Sequence, residues 1–300
     1  MKFDVIIGNP PYGNTSKVAD GQKNFKVPLW GLFAEHSITL LNQNGYIAFV
    51  TPTSWLHSNS HTYKFVTARN LLYVNLTSGK YFPGVGTSNC YWIAQNNSDQ
   101  TQTETEFEDS NGVVSISLGK NTFIPGMISE RFTLALDILH KTVSLTTKLG
   151  ATISQQYNTG TSPEKTQKNQ TDEFCFKVEH TNSSCLWAKE PPLNAGPKVI
   201  ISLTGSWKQA RLCLDGSGTS QIMGFVPTST KDEAVQCLSV LQSKLFQFII
   251  HSCRYSSSIP AALFRSLPAV DLTRSWTDDE LYVHFKLTKE EIELIESTIK

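Results

Sequence analysis

Asn9-Pro10-Pro11-Tyr12 is the stretch of this chain whose residue types and spacing could do chemistry. The Asn9 side-chain oxygen and the Pro10 main-chain carbonyl are two acceptors one residue apart, and Tyr12 adds a flat ring. Two successive prolines restrict the backbone, so the acceptors stay in register with little entropy left to lose on binding. Such a turn could accept both N–H groups of an amine. The preceding run, Phe3-Asp4-Val5-Ile6-Ile7-Gly8, is apolar and mostly β-branched, and reads as a buried strand. Gly8 then loosens the chain, and the prolines forbid continuing a ladder or a helix. The turn therefore stands at the carboxyl end of a strand, the edge at which open α/β sheets bind ligands.

The strand and its Asn9-Pro10-Pro11-Tyr12 turn resemble the catalytic signature of methyltransferases that modify the exocyclic amine of adenine in DNA. That amine is a poor nucleophile because its lone pair is delocalised into the purine. The resemblance implies that Asn9 and Pro10 accept its two N–H groups and free the lone pair for attack on the methyl of S-adenosylmethionine. Pro11 would stiffen the turn, and Tyr12 would stack on the base once it has left the duplex. Tyr46-Ile47-Ala48-Phe49-Val50-Thr51-Pro52 with its serine–tryptophan turn is similar to a downstream segment of the same family. A closing strand of that family supplies an aromatic for the second face of the base. Tyr91 or Trp92 is the matching position, and strand alternation alone does not choose between them.

The carboxyl-terminal half carries a second likeness. Leu238-Ser239-Val240-Leu241-Gln242-Ser243-Lys244-Leu245-Phe246, followed by Leu267-Pro268-Ala269-Val270-Asp271-Leu272, resembles target-recognition domains of type II restriction-modification methyltransferases. So does the ending Asp279-Glu280-Leu281-Tyr282, then Phe285 through Ile292. In the gamma motif order, a glycine-rich cofactor turn and an acidic ribose ligand precede Asn-Pro-Pro-Tyr. Here Met1 stands eight residues before Asn9. The expectation is that the S-adenosylmethionine site lies largely outside this chain, on a separate chain carrying the cofactor half. No cofactor-binding residue is assigned. Gly84 and Gly86, with Glu104 beyond, imitate a cofactor cradle, but strand-forming residues follow them and a hairpin turn accounts for them better.

Twenty-six basic residues balance 26 acidic ones, which is unusual for an isolated nucleic-acid binder. The charge must be segregated locally, or a partner carries part of the DNA grip. Six cysteines without paired spacing, no signal peptide and no membrane-length apolar run indicate reduced thiols in a cytoplasmic protein. Cys175, His180 and Cys185 fit no common zinc spacing, so no metal is expected. His57 and His61 read as surface residues.

The elements that must position the turn follow in order. Residues 13–28 read as a mobile loop, 29–41 as a helix, 42–45 as a turn and 46–50 as a second buried strand. A helix over 59–70, strands over 71–77 and 90–94, and a polar linker or long hairpin over 95–112 come next. A strand over 113–118 and a helix within 128–149 follow. Beyond them, residues 154–175 are rich in side chains that contact phosphates and base edges. Strands over 198–202 and 224–227, a hairpin turn at 216–218 and a long helix over 233–253 complete a β-rich second part. Thr288 with Glu291 makes a capping box for a terminal helix, and Arg254, Tyr255, Arg265 and Arg274 are candidates to face phosphates.

The resulting expectation is an α/β chain. Residues 1–120 would be a partial Rossmann-like methyltransferase sheet, and 121–300 a mixed, β-rich target-recognition domain acting on double-stranded DNA. The competing reading is a non-catalytic DNA-specificity or antirestriction subunit without its own cofactor site. A βαβ domain unrelated to DNA is the third.

Overall fold

The computed structural model describes residues 1–17, 25–57, 60–82, 88–97, 104–109, 112–118, 123–125, 131–204, 209–254 and 258–300. The chain is mixed α/β and forms two compact units, Met1–Leu136 and Asp137–Lys300. The division falls inside a helix rather than at the expected 120/121 point, which lies outside the described residues.

The first unit runs β1 (Phe3–Gly8), β2 (Asn14–Lys17), β3 (Phe25–Pro28), α1 (Leu29–Thr39), β4 (Leu41–Pro52), α2 (His61–Thr67) and β5 (Asn70–Asn75). It continues with β6 (Asn89–Gln95), β7 (Glu104–Asp109) and β8 (Gly112–Ser117), and ends in the first half of α3 (Phe132–Lys141). One six-stranded sheet has the order β1-β4-β6-β5-β7-β8. β1 and β4 are parallel, as are β5 and β7, while β6 runs antiparallel between β4 and β5. One face is dry: Ile47, Phe49, Trp92, Ala94, Val74 and Phe107 are all buried, with Trp30 and Ala34 of α1 and Val66 of α2.

Several expectations change here. β1 is an edge strand whose Phe3, Val5 and Ile7 are 41%, 53% and 79% exposed, so the expected buried strand is half bare. The turn at 42–45 is a bulge within β4: pairing jumps from Phe3↔Leu41 to Val5↔Tyr46. Asn44 takes positive φ there (64°), and any Cβ on Gly45 would meet three carbonyl oxygens at 3.0 to 3.1 Å. The loop at 13–28 begins and ends as the antiparallel pair β2–β3. The polar stretch 95–112 contains β7, whose Thr105, Phe107 and Asp109 alternate inward against outward Glu104 and Glu106.

In the second unit come β9 (Thr152–Ile153), β10 (Thr166–Gln167), β11 (Phe176–Glu179), β12 (Cys185–Ala188), β13 (Lys198–Ser202), β14 (Arg211–Cys213), β15 (Gly218–Thr219) and β16 (Met223–Pro227). α4 (Lys231–Gln242), α5 (Lys244–Ser252), α6 (Ala261–Arg265), α7 (Asp278–His284) and α8 (Lys289–Thr298) follow. The strands make two four-stranded sheets, β10-β12-β11-β15 and β14-β13-β16-β9. Residues 216–218 are therefore not a hairpin turn: β15 leaves β14 and pairs in parallel with β11 in the other sheet. The expected long helix is broken at Ser243, whose extended backbone (ψ 153°) and hydroxyl, accepting from Phe246 N, cap a new helix. α8 opens with the expected Thr288–Glu291 capping box, and α7 has a second, Thr277–Glu280. None of the six cysteines forms a disulfide.

Candidate active site

β1 delivers the turn because Gly8 sits opposite Phe49 of β4, and a Cβ on Gly8 would press to 3.1 Å from the Phe49 ring. Beyond Gly8, Asn9 and Pro11 are exposed, Pro10 is buried and Tyr12 is half-buried. The Asn9 amide is thus displayed at the carboxyl edge shared by parallel β1 and β4. Leu29 N donates to Gly13 O (2.8 Å), tying the end of the turn to the start of α1.

Beneath the turn lies a rigid aromatic floor. Thr51 Oγ1, fully buried, accepts from Trp55 Nε1 (3.0 Å) and Trp92 Nε1 (3.2 Å). Trp92 packs edge-on to Phe49 and to Trp55, with centroids 5.9 and 5.7 Å apart. Trp92 is wholly buried and offers no ring face to a base, so that expectation is withdrawn. The Tyr12 hydroxyl is also buried, without a hydrogen-bond partner among the described residues, and burial followed by the neighbouring Cys90 raises its pKa. Burial pushes the Cys90 thiol up to about 12, leaving it neutral.

Cys90 and Tyr91 project to opposite faces of β6, so Tyr91 lies across the sheet from the Tyr12 hydroxyl. Tyr91 is half-buried and tilted against Tyr73 (5.7 Å), with the two hydroxyls 3.4 Å apart; Tyr73 in turn donates to Glu108. Tyr12 and Tyr91 are therefore not brought together as two walls of one slot.

His57 departs from its surface expectation: it is half-buried, stacked on Phe123 at 6.0 Å, and burial lowers its pKa to about 4. His61 is exposed as expected, its Nδ1 2.9 Å from Glu35 Oε1. Sequence reasoning missed a cavity of about 500 Å³ lined by Trp30, Gly31, Glu35, Ser54 and Thr62. No linear motif marks it, because it forms where α1, α2 and the end of β4 converge.

Gly84, Gly86 and Tyr255 lie outside the described residues. Glu104 begins β7 at the amino-terminal edge of the parallel strands, the wrong edge for a ribose ligand. Among the described residues, none form a group of three or more His, Cys, Asp or Glu able to hold a metal. In the second unit, residues 154–175 fold into turns whose amides are partly self-engaged. Gln156 Nε2 donates to Pro191 O, and Gln167 Nε2 to Asn169 O. Arg274 lies over the Trp276 ring (3.6 Å) and pairs with Glu280 (2.9 Å), while Arg265 is exposed.

Comparison with known proteins bears on the unit that holds the turn. Residues 1–78 match the family model described as Eco57I restriction-modification methylase. A Methanocaldococcus jannaschii protein named as a candidate type II restriction enzyme and methyltransferase is 41% identical over 58 residues, 18% of this chain and 5% of that protein. The chain thus spans only a small part of that relative. Over residues 1–78 the chain is thus similar to a restriction-modification methylase. Among solved structures, the Type ISP restriction-modification enzyme LlaGI with a DNA substrate mimic gives a TM-score of 0.47 at 13% identity, over 90% of this chain and 33% of that one. The DNA-bound Type IIL enzyme MmeI gives 0.44 at 12%, over 86% and 46%. Among the described residues, no helix is long and apolar enough to cross a membrane.

Proposed function

We propose that this chain is the catalytic-turn and target-recognition portion of a DNA methyltransferase acting on the exocyclic amine of adenine. The observation that carries the reading is the exposed Asn9 amide, held by the diproline at the carboxyl edge of parallel strands, inside the segment that matches the methylase family. Asn9 Oδ1 and the Pro10 carbonyl accept the two amine protons and draw the nitrogen towards tetrahedral geometry. Pro11 holds that register, and Tyr12 stacks on the extruded ring, anchored at its tip by burial of the hydroxyl. Tyr91, on the other face of the sheet and tilted against Tyr73, does not join Tyr12, so the second face of the base has no assigned residue in this chain. S-adenosylmethionine supplies the methyl group when bound, on polypeptide outside this chain. The bare edge and apolar side chains of β1 are where that polypeptide would dock, adding a strand to the sheet.

The same bare edge favours a second reading, a DNA-specificity subunit without catalysis of its own. Plasmid methylation in cells expressing this chain, with and without its upstream neighbour gene, separates the two. Adenine methylation that needs both is expected. DNA retention by the pair without methylation would favour the second reading. Purified chain binding S-adenosylmethionine with micromolar affinity would refute the placement of the cofactor site.

A further inference from the structure

Lys177 and Glu179 of β11, Arg211 of β14 and Asp215 line a charged pocket of about 430 Å³, with Leu212 and Leu214 beside them. β11 and β14 belong to different sheets, so the pocket forms where the two sheets of the second unit meet. Glu179 is buried, and its two oxygens are taken by different cations, Arg211 Nη2 at 2.5 Å and Lys177 Nζ at 2.8 Å. Burial pushes the Glu179 carboxyl up, yet Arg211 and Lys177 together hold it below the ordinary range. Lys177 also reaches Asp215 Oδ2 (3.1 Å), and Asp215 is 53% exposed.

The guanidinium of Arg211 is aimed but not used up. Glu179 engages one terminal nitrogen; among the described residues, Nε is buried without an acceptor and Nη1 has no hydrogen bond. A buried donor left unpaired is destabilising, so an ion-pair network serving stability alone would be better closed than this one. Lys177, Arg211, Glu179 and Asp215 sum to zero charge, which gives the pocket little long-range pull on phosphate. What it offers is direction: a planar fork whose Nε is buried and whose Nη2 is fixed by a buried carboxylate, leaving Nη1 and the second Nη2 proton as its unfilled terminal donors. That fits a flat edge carrying two acceptors side by side, as N7 and O6 of guanine do in the major groove.

We infer that Arg211 reads a guanine in the target site of duplex DNA, with Glu179 as its positioning residue and Lys177 holding Glu179. The inference rests on the reading of this chain as a DNA methylase portion and deepens it.

The test is selection of bound duplexes from a random-sequence pool by the full chain and by Arg211→Lys, which keeps a cation beside Glu179. The wild-type chain should enrich a motif containing a G·C pair. Arg211→Lys should lose discrimination at that pair by about ten- to a hundredfold and keep the other positions. A second arm leaves the protein unchanged: 7-deazaguanine at that position, which lacks the N7 acceptor, should weaken wild-type binding about tenfold. An identical motif from Arg211→Lys overturns the inference, as does 7-deazaguanine tolerated at every guanine of the motif. If the wild-type chain retains no DNA even at low salt, the DNA reading itself fails. Retention that enriches no motif overturns the guanine contact alone.

Discussion

Tyr12 and His57 each make a prediction at the scale of a single side chain. The Tyr12 hydroxyl is buried without a partner among the described residues, a cost that phenylalanine would not carry. Tyr12→Phe should therefore unfold at an equal or higher temperature and keep its stacking ring, whereas Tyr12→Ala should lose methylation. A clear drop in melting temperature for Tyr12→Phe would show that the hydroxyl is satisfied after all. His57 is held neutral by burial, its pKa lowered from 6.5 to about 4. The unfolded chain then binds the extra proton first, so stability falls as pH drops from 6.5 towards 4. A His57→Gln variant should flatten that part of the melting-temperature profile, and an unchanged slope would remove His57 from the account. Trp92 and Tyr91 invite the opposite contrast. Trp92→Ala opens a cavity in the aromatic floor and should cost about 3–5 kcal/mol, against roughly 1 kcal/mol for the half-exposed Tyr91. Chemical denaturation measures both.

At the scale of the element, the sequence was readable where one periodicity dominated and misleading where two signals overlapped. α1, β6, β13 and the cap of α8 appear where apolar spacing and Thr288-x-x-Glu291 place them. β7 was obscured because its inward positions include Thr105 and Asp109 as well as Phe107, so polarity masked a period of two. The break between α4 and α5 was obscured in the same way: apolar residues run on through it, and only the capping chemistry of Ser243 marks the stop. Thr230, Ser243, Thr277 and Thr288 each accept a backbone N–H at a helix start. Ser243→Ala should cost about 1 kcal/mol and detach the first turn of α5, read as faster amide exchange at Phe246. Asn9 and Tyr12 can be proposed from the sequence because a local turn carries them. Glu179 and Arg211 were not, because their pairing depends on two sheets meeting.

At the scale of the molecule, the first unit is a sheet with one dry face and, at β1, an open edge beside the catalytic turn proposed above. Val5 and Ile7 are already in water, so Ile7→Lys should leave the melting temperature of the isolated chain nearly unchanged, within about 0.5 kcal/mol. The same substitution should abolish methylation by the assembled enzyme if this edge receives the cofactor-bearing polypeptide. Unimpaired methylation would place that contact elsewhere. On the proposed reading the second unit contributes selection, and the neutral overall charge would fit a DNA grip shared with a partner chain. The central claim, that Asn9 holds the reacting amine, is tested most directly by Asn9→Ala assayed for plasmid adenine methylation beside duplex retention. The account predicts a fall in methylation of about a hundredfold or more with retention unchanged. Methylation persisting at the wild-type rate would contradict it.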